Sequence, residues 1–243
     1  LAMAKPDGYT IGVTAIPGTI TIYQDPDRKA AFGRKDLQPI ALHNVDAGVV
    51  AVGVDSPYKT LKDLIDAAKA NPKGLKAATD GLMGSDHMAT LRFQMVTGVQ
   101  FTLVHFDGGA PASTALAGGH VDLRIGKVAS VLSLAKSGKI RVLGVMDKKV
   151  SKYYPEAKTM EDQGYKGYYW YNATGFAAPG ATPKEIVDRM SDIIKRAMDS
   201  EEHKKKLDEL ALDGMYMNPE DFAKYWSELE DTVKPLVEEA KKG

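Results

Sequence analysis

The sequence contains no cysteine, which excludes disulfide bonds and cysteine-ligated zinc. It also has no excess charge of either sign, because 32 Lys and Arg residues balance 32 Asp and Glu residues. This neutral balance argues against nucleic acid or an anionic membrane as the main partner, so we expect no nucleic-acid partner. No hydrophobic run approaches the length of a transmembrane helix, and the sequence holds no signal-peptide pattern.

Motifs of catalysis and metal binding are missing as well. The five histidines, at 43, 87, 105, 120 and 203, show no spacing typical of a metal site. The sequence lacks the G-x-S-x-G motif of hydrolases, and the glycines near Lys127 have the wrong spacing for a phosphate loop. No pair of acids is placed for acid–base work. We therefore expect a protein that is not an enzyme and that has no cofactor and no metal.

Predicted strands and helices alternate along the 243 residues. The pattern favours an α/β fold with largely parallel sheets and right-handed crossovers. Residues 1–5 read as the end of a helix stopped by a turn, so we expect further residues before Leu1 in the complete protein. The predicted strands are 9–14, 49–54, 75–79, 101–105, 121–125, 140–145, 174–178 and 215–217, and the main helices are 19–23, 61–71, 85–97, 110–117, 127–136, 183–199, 201–211 and 218–241. Thr60 and Asp63 are spaced as in a capping box at the start of helix 61–71.

The most informative segment is the loop from Thr79 to His87, which joins a predicted strand to a predicted helix. Glycines in such a loop let the backbone approach a ligand, and Ser85 is predicted to be the N-cap of the helix. The N–H groups at a helix start attract anions. The candidate ligand contacts in this loop are Thr79, Gly81, Gly84, Ser85 and His87. The alternative is an ordinary capped helix with a glycine turn.

The same arrangement returns one strand–helix unit later, where residues 105–111 join a strand to a helix of small residues. The candidate contacts here are Phe106, Gly108, Gly109 and Ala110. Asp122, in the next predicted strand, is a candidate to bind either a ligand or neighbouring backbone, and the pattern alone favours backbone. Arg124 and Lys127 are predicted to be solvated or paired. Because ligands of α/β proteins bind beyond the carboxyl ends of strands, both glycine loops are expected at the same edge.

Taken in order, these motifs resemble the solute receptors of tripartite tricarboxylate transporters, the Bug family. The resemblance covers nearly the whole chain. It rests on residues 6–10, 58–61, 67–72, 84–87, 108–112, 118–122, 137–143, 161–165 and 178–183.

The resemblance implies a periplasmic binding protein of type II, with two α/β lobes, two mainly parallel sheets flanked by helices, and two crossover strands near 45–54 and 172–178. One lobe would hold 1–45 and 174–243, without the first strand, loop and helix of the family, and the other lobe would hold 46–173. A small organic acid would bind in the cleft between the lobes by hinge closure and pass to the membrane permease subunits. The resemblance adds as ligand contacts Ala15, Pro17, Thr19 and Ile125.

The sequence departs from the family at the rim of this site. His105-Phe106-Asp107 stands where the family often has Pro-Tyr-Lys, so a zwitterion or an acid bearing an amine competes with a plain dicarboxylate as the expected ligand. Arg124 and Lys127 add positive charge that could compensate. A second hypothesis is the ligand-sensing domain of a regulator with the same two-lobed fold, and a third is an enzyme on an α/β scaffold.

Overall fold

The computed structural model describes residues 1–242, and eight strands and eight α-helices are found among them. The strands are β1 (Gly12–Ile16), β2 (Leu37–Gly53), β3 (Lys76–Thr79), β4 (Thr102–His105), β5 (Leu123–Lys127), β6 (Ile140–Val145), β7 (Tyr171–Pro179) and β8 (Asp213–Met217). The helices are α1 (Gly18–Gln24), α2 (Leu61–Ala70), α3 (Ser85–Thr97), α4 (Gly109–Ala117), α5 (Val128–Lys136), α6 (Lys184–Met198), α7 (Glu201–Glu209) and α8 (Pro219–Ala240). The predicted α/β class is confirmed.

The chain forms two compact units. The first contains Leu1–Val45 together with the segment that begins at Asn172, and the second contains Asp46–Tyr171. The division falls inside β2, so the two halves of this 17-residue strand belong to different units.

In the first unit, β1 runs antiparallel to β7, and β8 runs antiparallel to the first half of β2. Apolar residues of these strands pack against α6, where Ile40, Ala41 and Ala178 surround Val187. Helix α8 adds the fully buried ring of Trp226, whose indole N–H donates to the Tyr23 hydroxyl at 2.8 Å.

In the second unit, β3 pairs in parallel with β4 and β5, whereas β2 runs antiparallel to β5 and β6. The sheets are therefore mixed, where the pattern predicted largely parallel ones. The difference arises mainly from β2. Its segment from Leu37 to Asn44 escaped prediction because a proline and several polar residues interrupt its apolar pattern.

Several helix starts follow local capping signals. Thr60 and Asp63 form the predicted capping box of α2, and the Asn218 side chain accepts the Asp221 N–H at the start of α8. Helix α6 begins one residue later than predicted, because Pro183 is its N-cap and the Thr182 hydroxyl instead donates to the Pro179 carbonyl at 2.7 Å.

Candidate ligand-binding site

Three helices of the second unit begin at one edge of its sheet. Strands β3, β4 and β5 are parallel, so their carboxyl ends lie together, with Thr79 of β3 opposite His105 of β4. Helices α3, α4 and α5 each start within a few residues of one of these strand ends. This is the edge at which α/β proteins bind ligands, and the two glycine loops lie on it as predicted.

The first glycine loop is held by Asp80 rather than by Ser85. The N-cap of α3 is Gly84, so Ser85 is the first helical residue, and the prediction that it caps the helix is wrong. The Asp80 carboxylate takes that role by accepting the Asp86 N–H at 3.0 Å. This carboxylate, from outside the helix, satisfies an N–H of the first turn without Ser85. Ser85 itself is half-exposed at the helix start.

Thr79 and His87 lie beneath the loop and are almost fully buried. The Thr79 hydroxyl is 2.6 Å from His105 Nδ1, and His87 Nδ1 accepts the Met83 N–H at 3.0 Å. Burial, together with the neighbouring His105, lowers the pKa of His87 to about 4, so its ring is neutral near pH 7. These two residues therefore shape the loop from below.

The second glycine loop contacts the first. The Phe106 N–H donates to the Thr79 carbonyl at 3.1 Å, and a Cβ on Gly81 would lie 3.5 Å from the Phe106 carbonyl oxygen. Gly108 has a φ of +101°, a conformation that favours glycine, and it is the N-cap of α4. Helix α4 has no side-chain cap and no acidic residue in its first turn.

A buried ion pair lies under these loops. Arg124 is fully buried and donates through Nη2 and Nε to Asp86 Oδ2, at 2.6 and 3.1 Å, and through Nη1 to the Ser113 hydroxyl. A Cβ on Gly109 or Gly126 would lie 2.9 Å from guanidinium atoms, so both glycines make room for this side chain. Of the two environments predicted for Arg124, solvated or paired, the structure shows the paired one, and the residue is also buried.

Lys127 and Asp46 complete the charges at this edge. Lys127 Nζ lies 3.6 Å from Asp80 Oδ2 and 4.0 Å from Asp86 Oδ1. Asp46 is buried and caps α5 by accepting the Ala129 N–H at 3.3 Å. Burial raises the pKa of Asp46 to about 7, against the opposing effect of the Ala129 N–H and Lys127.

Five other predicted residues are not part of the two glycine loops. Asp122 precedes β5, at the opposite end from Lys127, and its carboxylate accepts the Lys76 N–H at 2.7 Å. Ile125 is fully buried in the sheet. In the first unit, Pro17 is buried, and the Thr19 hydroxyl donates to the carbonyl of exposed Ala15 at 3.0 Å. The structure thus groups neither Asp122 nor the Ile125 side chain with the glycine loops.

The fold also brings together histidines that are distant in sequence. The rings of His87 and His105 meet edge to face with centroids 4.7 Å apart, and so do those of His43 and His203 in the first unit. Sequence spacing could not reveal either pair. Within residues 1–242, no group of three or more His, Asp or Glu side chains is arranged to hold a metal ion, and no helix there is both long and apolar enough to cross a membrane.

The comparison with known families decides what kind of protein this is. The sequence model of the tripartite tricarboxylate transporter family receptors, TctC, matches residues 1–241. The chain belongs to the TctC family. Its members are solute-binding receptors, not enzymes, so the expectation of a receptor without catalysis is confirmed.

Similar proteins cover almost all of this TctC receptor. A UPF0065 protein encoded in the gbd 5′ region of Cupriavidus necator is 31% identical over 239 residues, which is 96% of this chain and 70% of that protein. A solved periplasmic transporter is 27% identical with a TM-score of 0.85, over 98% of this chain and 79% of that one. An R. palustris protein solved with adipate is 26% identical with a TM-score of 0.84, over 99% of this chain and 80% of that one.

Proposed function

We propose that this TctC receptor captures a small organic acid, a carboxylate or an amino acid, at the strand–helix edge of its second unit. Thr79 and His87 would support the loops from below, and the resemblance to the family adds the segment Ala15–Thr19 of the first unit. The residues proposed to face the ligand are Gly81, Gly84, Ser85, Phe106, Gly108, Gly109 and Ala110.

The observation that carries this proposal is the open start of α4. Asp80 accepts an N–H at the start of α3, and Asp46 does so at the start of α5, whereas α4 has no side-chain cap. Pro111 has no N–H, so the free donors of the first turn come from Gly109 and Ala110. A ligand carboxylate fits two unpaired N–H groups at the positive end of a helix dipole.

The buried guanidinium of Arg124 supports the same position. Its Nη2 lies 2.9 Å from the place that a Gly109 Cβ would occupy, directly behind the first residue of α4. Asp86 neutralises much of this charge, so the contribution of Arg124 that the distances support is its close packing behind Gly109.

The ligand class rests on the relatives and on charge. The R. palustris relative was solved with adipate, a dicarboxylate, which favours an organic acid here. Asp107 is exposed beside Gly108, so an acid that also carries an ammonium group remains a candidate. We further propose a periplasmic location and delivery of the ligand to the membrane permease subunits of a tripartite transporter, as the family description suggests.

The first test is native mass spectrometry of freshly purified protein, followed by release and identification of any bound molecule. An organic acid bound at one per chain supports the proposal. If none co-purifies, calorimetric titrations with dicarboxylates and with amino acids follow. The proposal is contradicted if the protein binds no dicarboxylate and no amino acid.

The second test places a competing carboxylate at the start of α4. Ala110 is exposed in the first turn, so Ala110→Asp should stabilise the helix by roughly 0.3–1 kcal/mol through its dipole. The same charge should repel a ligand carboxylate and weaken binding by at least tenfold, whereas the neutral, equally sized Ala110→Asn should bind far better than Ala110→Asp. Equal affinity of the two variants would remove α4 from the site.

A further inference from the structure

Arg92, in the middle of α3, is a half-buried cation without a counter-ion. Its guanidinium carbon lies 5.6 Å from the centre of the Tyr168 ring and 5.7 Å from the centre of the Trp170 ring. Among residues 1–242 no carboxylate lies within ion-pair distance of it, and its buried Nε has no hydrogen-bond partner. Burial lowers the pKa of Arg92, with no neighbouring carboxylate to oppose that effect.

Trp170 brings a second unsatisfied donor to the same place. Its side chain is 4% exposed, and its buried indole N–H has no acceptor in the described part of the chain. Its backbone is fixed on both sides, because its N–H donates to the Met146 carbonyl at 3.0 Å and its carbonyl accepts the Gly48 N–H at 2.8 Å. These bonds fix the backbone from which the buried indole projects.

Two buried donors and one unpaired positive charge within one cluster call for an acceptor. Buried polar groups are hydrogen-bonded in most proteins, and buried charges are paired. A guanidinium fork fits two oxygens of a carboxylate or a phosphate, and the flanking rings hold its plane in place. The indole N–H can donate to an oxygen of the same anion.

We propose that Arg92 and Trp170 form a second anion site on the second unit, which binds a small oxyanion such as a carboxylate or phosphate. Arg92 comes seven residues after the first residue of α3, which is roughly 10 Å along the helix. The site is therefore separate from the glycine loops, and it stands whether or not those loops bind the transported acid.

The indole signals of the labelled protein test this directly. The chain has two tryptophans, so a ¹H–¹⁵N spectrum contains two indole signals, which a Trp170→Phe variant assigns. Sodium acetate and sodium phosphate, added at pH 7 and matched ionic strength, should shift the Trp170 signal along a saturating curve. The Trp226 indole already donates to Tyr23 and should stay in place, and sodium chloride should leave both signals unmoved.

Two variants with the same change of charge locate the effect. Arg92→Met keeps an unbranched apolar stem and should weaken acetate binding at least tenfold. Lys148→Met removes an exposed cation, which lies 5.2 Å from the Tyr169 ring centre, and should bind as the wild type does. Repeating the titration in Ala110→Asp, where the glycine-loop site is blocked, should leave the Trp170 response intact.

The proposal fails if the Trp170 signal ignores both oxyanions, if chloride moves it equally, or if Arg92→Met responds as the wild type does. If Arg92→Met does not fold, the wild-type titration decides by itself, because it needs no variant of Arg92.

Discussion

Replacing Asp86 by Asn should destabilise this receptor by about 3–5 kcal/mol, the usual cost of removing one partner from a buried ion pair. Asp86 and Arg124 have side chains that are 1% and 0% exposed, so water cannot replace the lost carboxylate. Asparagine keeps the shape and one acceptor oxygen, but it leaves the guanidinium charged, because arginine cannot release its proton in a protein. A loss of this size is a large part of a total stability of roughly 5–15 kcal/mol.

Replacing the other partner, Arg124, by Met should have a cost in stability that depends on pH, whereas the cost of Asp86→Asn should not. In Arg124→Met the remaining carboxyl is buried, with Lys127 Nζ 4.0 Å away. Burial already raises the pKa of Asp86, and losing Arg124 raises it further, so the folded variant can bind a proton there. The cost of Arg124→Met should therefore shrink between pH 8 and pH 5, as the group becomes neutral in the fold.

Urea denaturation followed by circular dichroism at both pH values measures these costs. The double variant removes both charges, so its cost should fall below the sum of the single costs by about 0.5–3 kcal/mol. The exposed pair Lys184–Asp188 provides the control, since Asp188→Asn should cost under about 1 kcal/mol. If Asp86→Asn costs no more than this control, or if the single costs add, the ion pair is not the buried support described here.

Three further changes have clear expected outcomes. Ser85→Ala should weaken ligand binding, measured by calorimetry, by about 0.5–1.5 kcal/mol with little loss of stability. The control Ser133→Ala, on the exposed surface of α5, should change neither binding nor stability. If Ser85→Ala binds the ligand as tightly as the wild type does, Ser85 does not contact the ligand. Because the pKa of Asp46 is raised from 3.8 to about 7, the folded state keeps a proton that the unfolded state releases, so the free energy of unfolding should fall as pH rises through that range. Urea denaturation of Asp46→Asn should show a smaller dependence of this free energy on pH. The same pH dependence in the variant and the wild type would argue against the role of Asp46. Gly175→Ala should destabilise the protein by roughly 1–3 kcal/mol, since its Cβ would lie 2.6 Å from a ring carbon on α8, whereas Gly33→Ala, with its nearest neighbour at 4.0 Å, should be nearly neutral by thermal melting.

The sequence was informative wherever the signal is local. The capping box of Thr60 and Asp63 spans four residues, and the glycine loops follow directly from the order of strand, glycines and helix. Such features are set by neighbours along the chain, so a reader of the sequence can find the loops and the edge of the sheet on which they lie.

The charges beneath those loops are set by distant residues. Asp86 and Arg124 are 38 positions apart, and Asp46 caps a helix through a residue 83 positions away. A lone Arg between apolar residues looks the same in sequence whether it is solvated or buried, so only the fold identified its partner. The same reason explains why Ser85 looked like a cap, since Asp80 replaces it from across the loop.

The order in which the strands pair has a consequence for synthesis of the protein. Strand β1 leaves the ribosome before the whole of the second unit, yet its partner is β7, and the Thr14 hydroxyl donates to a carbonyl 161 positions later. The second unit is one continuous segment and has all its strands by the time β6 is complete. We therefore expect the nascent chain to fold the second unit first, while β1 remains unpaired until β7 has been synthesised. A pause in translation before β7 would lengthen the time for which that strand edge is exposed to aggregation.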